Sequence, residues 1–199
     1  MATLLNTLMK QLGGDGIGQI GQMLGLDERA TSGALKAVLP SLIHGLNRNS
    51  ANPGGAEELT HALQKDHDGG ILDDVLGFLN KGDDTDGQGI LGHIFGNKKE
   101  RVETGLSKST GLDIGSIVKL MGVAAPLLMG LLGKTRNERD LGSGDISDLL
   151  RKEDRRVGIR TRRKLSPILS ILDSDSDGDV TDDLVNLGAG FLSRLFKRR

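Results

Sequence analysis

Apolar residues recur along this chain at helical spacing. Leu4, Leu5, Leu8, Met9 and Leu12 share one face, and Gly13-Gly14 ends that helix. Ile17, Ile20 and Leu24 mark a second short helix. Gly25-Leu26-Asp27 breaks it and places Asp27 to cap the next. The third helix turns Ala30, Ala34, Ala37, Val38, Leu42 and Leu46 one way. Asn52-Pro53 opens a fourth, because proline is tolerated in a first helical turn, and Leu59, Ala62 and Leu63 form its apolar side. β-branched residues nowhere sustain a period of two, so the pattern predicts an all-α chain.

Laid on itself with a shift of 86 residues, the chain repeats. Gly25-Leu26-Asp27 falls on Gly111-Leu112-Asp113, Pro40 on Pro126, Leu42 on Leu128 and Leu46 on Leu132, while Leu5, Leu8 and Met9 fall on Leu91, Ile94 and Phe95. The repeated unit, residues 1–49 and 87–135, is two short helices, a GLD break and a long apolar helix with a proline near its middle. Proline inside a helix removes a hydrogen bond and kinks the chain, so matched prolines predict a shared bend. Two such units pack as one pseudo-duplicated helical bundle.

The segments LGLD, DHDGGILDD, GILGHIFG and LMGVAAPLLMGLLG resemble the YidB-like bacterial family, the domain of unknown function numbered nine hundred thirty-seven, over about residues 1–135. The resemblance implies a small, mostly helical bacterial domain. It brings with it no activity, cofactor or catalytic residue.

Composition narrows the chemistry. The 199 residues include no Cys, Trp or Tyr and only 4 Phe. A thiolate nucleophile, a thiolate metal site and a disulfide framework are excluded, and an aromatic platform for single-stranded nucleic acid is not expected. Lys and Arg number 26 against 27 Asp and Glu, so no whole-chain field favours nucleic acid, and no sequence-specific nucleic-acid partner is expected. The first residues carry neither a basic region nor a long apolar core, which places the chain in the cytoplasm. The apolar stretch from Ile117 to Gly133 contains Lys119, Pro126 and three glycines and is shorter than a membrane span, so it reads as a buried core helix.

Between the repeats, residues 66–89 form an acidic, glycine-rich connector. Leu72, Val75, Leu76 and Leu79 suggest a short helix there, and Gly82 to Gly89 reads as a loop. Residues 136–164 read as a basic linker with a brief helix at Ile146, Leu149 and Leu150. From Arg151 to Lys164 it carries eight basic residues against two acids, which is either a solvated linker or a patch for an anionic partner.

Residues 165–199 read as an EF-hand-like helix–loop–helix. Asp173, Asp175 and Asp177 alternate, Gly178 supplies a sharp turn, Asp179 offers a backbone carbonyl and Thr181 a hydroxyl or a bridging water. Calcium takes six to eight oxygens, which such a loop can gather. Position twelve is Leu184 where a bidentate Glu belongs, so Asp183 or Asp182 must serve and the site is weak. The same acids can instead cap the final helix. Asp66-His67-Asp68-Gly69 repeats the spacing with Gln64 in place of the first carboxylate. His44, His61, His67 and His93 show no zinc spacing.

No nucleophile elbow, HExxH motif or phosphate-binding loop occurs, and the paired carboxylates sit in flexible segments without an apolar pocket to raise their pKa. The expectation is a non-catalytic helical interaction or structural protein with a weak Ca²⁺ loop and an unidentified protein partner, self-association included. The alternative is a peripheral membrane or regulatory binder using the basic stretch and the C-terminal helix, whose segment LVNLGAGFLSRLFKRR is apolar on one side and basic at its end.

Overall fold

The protein's structure, a computed structural model, describes residues 3–82 and 85–162, with side-chain environments through Val157. Residues 1–156 form one compact unit; from Val157 on the chain falls to a second, of which the end of the last helix is described. Among the described residues, eight α-helices run in order: α1 Leu4–Leu24, α2 Glu28–Asn49, α3 Pro53–Lys65, α4 Val75–Lys81, α5 Thr85–Phe95, α6 Lys99–Thr110, α7 Ile114–Arg139 and α8 Ser143–Arg162. Short 3₁₀ turns at Gly70–Leu72 and Gly96–Lys98 precede α4 and α6. No strand occurs among the described residues, so the fold is all-α.

Local chemistry sets the helix ends. Thr3, Asp27, Asn52, Asp74 and Asp113 each accept a backbone N–H at a helix start, satisfying donors that the helix itself leaves unpaired. The break at Gly13 is an interruption inside α1: Gly13 has φ 61°, a left-handed conformation open to glycine, and the helix resumes at once. The GLD segments are alike at their first and last residues. Gly25 and Gly111 are left-handed at φ 67° and 76°, and Asp27 and Asp113 are extended N-caps. α1 and α6 end, and α2 and α7 begin, with the same 86-residue separation. Both α2 and α7 run without a break through Pro40 and Pro126.

α7 is the axis of the unit formed by residues 1–156. Every residue from Leu120 to Gly133 is buried, and α1, α2, α3, α5, α6 and the Gly70–Leu72 turn all pack on it. A helix apolar on all sides must be enclosed. α7 is also long and apolar enough to cross a membrane; here other helices cover it, as expected of a core helix. α2 lies beside it with Leu35, Val38, Leu39, Leu42 and Ile43 fully buried, while Ala30, read as part of the same stripe, is exposed.

Two segments differ from the sequence reading. Residues 82–89, expected as a loop, enter helix at Thr85, and Gly87 is buried against the backbone of Gly122 in α7. Glycine weakens an isolated helix, but only glycine allows this close approach, and packing overrides propensity. Residues 136–164, expected as a linker with a brief helix, are mostly helix: α7 continues to Arg139, and α8 is a single helix of 20 residues.

Candidate functional site

A polar cluster lies where α8 meets α1 and α2. Ile146 and Leu150 of α8 are fully buried and seat the helix. Ser147, Glu153 and Asp154 share its inner side. Ser147 Oγ donates to the Ser50 carbonyl oxygen at 2.8 Å. Glu153, only 2% exposed, accepts from the Leu4 backbone N–H at 2.8 Å and from Arg156 Nη1 at 2.8 Å. Leu4 N is among the donors that α1 leaves unpaired at its start, and a carboxylate there also meets the positive end of the helix dipole. Asp154 accepts from Asn47 Nδ2 at 2.8 Å and faces His44 Nδ1 at 3.1 and 3.2 Å.

A His–Asp pair is also the orienting half of a hydrolytic triad. The adjacent hydroxyls serve otherwise, since Ser50 Oγ and Ser147 Oγ both donate to backbone carbonyl oxygens. The cluster fastens α8 to the bundle. Ile146 and Leu150 mark a helix in the sequence, but Glu153 and Asp154 carry no signal there of their inward role, although they share that helical face and a longer periodicity window finds them.

The acidic connector is also used structurally. Asp68 Oδ1 accepts from Gly70 N at 3.0 Å, and Asp74 Oδ1 accepts from Gly77 N at 2.8 Å to cap α4. Asn137 of α7 donates to the Asp68 carbonyl oxygen at 3.0 Å. No group of three or more His, Asp or Glu side chains is placed to hold a metal ion among the described residues. The proposed calcium ligands Asp173, Asp175, Asp177, Asp179, Thr181 and Asp183, with the C-terminal helix, lie outside the described residues. A shallow, open depression at Asp27, Glu28, Arg29 and Ser32 marks the start of α2.

Among the described residues, Glu103 of α6 is the other buried acid, 6% exposed, with Oε1 lacking a hydrogen-bond partner. Burial pushes its carboxyl above the usual carboxylate range. Lys99 Nζ, 4.0 Å away, opposes this and Glu100 adds to it. Asp113 moves the other way: the Ser116 hydroxyl and backbone N–H bond its carboxylate at 2.6 and 2.9 Å and hold its pKa down.

The model of a family described as bacterial protein of unknown function (DUF937) matches residues 6–135. The chain belongs to this family. No curated protein and no solved structure matches it. Within the DUF937 span, several glycines sit where segments touch closely. A methyl group at Gly133 would land on the His67 carbonyl oxygen, one at Gly130 on Ile71, one at Gly87 on the Gly122 backbone, and one at Gly45 on Ile94. The DHDGG turn thus rests in a notch cut into α7 by Gly130 and Gly133. The match stops within α7, so α8 and its anchors Glu153 and Asp154 lie beyond it.

Proposed function

We propose that this DUF937 protein is a non-catalytic helical interaction or structural protein of the cytoplasm, carrying a weak calcium loop at Asp173, Asp175, Asp177, Asp179, Thr181 and Asp183. The observation that supports the first part is the use made of motif residues: Gly130 and Gly133 of α7 receive the DHDGG turn, and Asp27, Asp74 and Asp113 cap helices. Chemistry of this kind builds a scaffold. We further read the domain as an internal duplication, supported by the common spacing of helix ends and the paired left-handed glycines at Gly25 and Gly111. Its partner is another protein or a second copy of the chain.

The calcium reading is supported by alternating carboxylates followed by Gly178. Lacking the bidentate Glu, the loop binds with a Kd on the order of 10⁻⁴ M. Calcium at about 1 mM then adds roughly 1–3 kcal/mol to the folded state. Calorimetric titration of the full chain is expected to give heat with Ca²⁺ and little with Mg²⁺, which demands tighter octahedral geometry. A rise in melting temperature should accompany it and disappear in Asp173→Ala and in Asp177→Ala. Absence of both heat and thermal shift would leave these acids the capping role alone.

A further inference from the structure

From Arg151 to Arg156 the sequence mixes four basic residues with two acids, RKEDRR. The fold separates them. Glu153 and Asp154 point into the bundle and are taken up by Leu4 N, Arg156, Asn47 and His44. The outward residues Arg151, Lys152, Arg155 and Arg156 are all exposed and all basic. Arg151 bonds to Asp148 at 2.6 Å and Arg156 to Glu153, whereas Lys152 and Arg155 have no acidic partner among the described residues. α8 continues to Arg162 and carries Arg160 on the way.

The surroundings of this ridge select its ligand. A membrane-surface helix needs an apolar face to sink into lipid, but the apolar side of α8 at Ile146 and Leu150 is spent on the bundle. A protein interface needs an apolar or aromatic centre, and between Arg151 and Arg156 the exposed face offers none. Single-stranded nucleic acid calls for stacking aromatics, and the chain has no Trp or Tyr. A compact patch of guanidinium and ammonium groups on a helix seated by Ile146 and Leu150 suits the closely spaced phosphates of a duplex, bound without regard to base sequence.

We propose that the outer face of α8, centred on Lys152 and Arg155, binds the phosphate backbone of double-stranded nucleic acid. This goes beyond the interaction reading and fails separately from it and from the calcium loop, whose titration involves other residues. The test is fluorescence anisotropy of a labelled duplex of about 20 base pairs with the full chain, from about 50 to 200 mM salt. Neutralising three or four phosphates gives log K against log salt a slope of about −3. The double variant Lys152→Ala/Arg155→Ala is expected to cut that slope by about 2 while leaving the melting temperature unchanged. A single strand of equal length is expected to bind more weakly. The proposal is overturned by absence of duplex binding at about 50 mM salt, by a variant that keeps the full slope, or by anionic vesicles or polyglutamate binding more tightly than the duplex.

Discussion

Glu103 is a carboxylate with one oxygen out of reach of both water and donors, and its raised pKa has a definite sign. In the unfolded chain it titrates near the ordinary Glu value of about 4.3. The folded state holds the proton to higher pH. Its contribution to stability is therefore fully present below the unfolded value and is lost as pH rises through the folded one. Glu103→Gln removes this titration. The variant is expected to melt above the parent at pH 7 and to lose that advantage toward pH 4, measured as the difference in melting temperature across that range. A constant difference at every pH would mean that the carboxyl is not held in the environment described. Asp113 works oppositely: its stabilising bonds to Ser116 are lost as pH falls through its depressed pKa.

At the level of elements, the glycines of α7 and the segments they receive decide the geometry. Gly133→Ala must push the turn at residues 66–70 off the helix, because the new methyl would meet a backbone carbonyl oxygen and not the yielding end of a side chain. Overpacking of this kind costs about 1–3 kcal/mol, and at about 2–4 °C per kcal/mol a thermal melt resolves it. Gly89→Ala, where a methyl meets open space, is expected to be neutral or stabilising. Equal loss in both would show that helix propensity, not the notch, sets the cost. These elements also show which features a sequence exposes. Asp27, Asn52-Pro53, Gly25 and Gly111 act on their nearest neighbours, so their roles as caps and stops could be read directly. Gly87 and Gly133 act across the fold on Gly122 and His67. Neither carries a local signal of that contact, and only the packed structure gives the reason they stand within a helix.

Over the whole molecule, α8 stands outside the DUF937 span yet supplies the carboxylate that closes the start of α1. Glu153→Ala leaves the Leu4 N–H buried and unpaired, a loss of about 1–3 kcal/mol. Glu153→Gln keeps an acceptor and is expected to lose less. A chain truncated after Arg139 should melt lower than the full chain and show faster hydrogen exchange in the first turn of α1; unchanged exchange there would separate α8 from the bundle energetically. Charge patterning hid this role. In a run as basic as residues 151–164, Glu153 and Asp154 count as minority charges on a solvated stretch, and their inward direction emerges only once Ile146 and Leu150 fix the rotation of the helix.

The enclosure of α7 also bears on the order in which the chain can assemble. Synthesis delivers α1 to α6 before the helix on which most of them pack. Until residues 120–133 emerge, the inner faces of α2 and α5 lack the surface that covers them, and much of the native packing joins residues far apart in sequence. Folding in step with translation, the usual habit of N-terminal segments, has little to gain here. A nascent chain stopped before α7 should remain protease-sensitive and bind chaperones, and resistance should appear abruptly once that helix is complete.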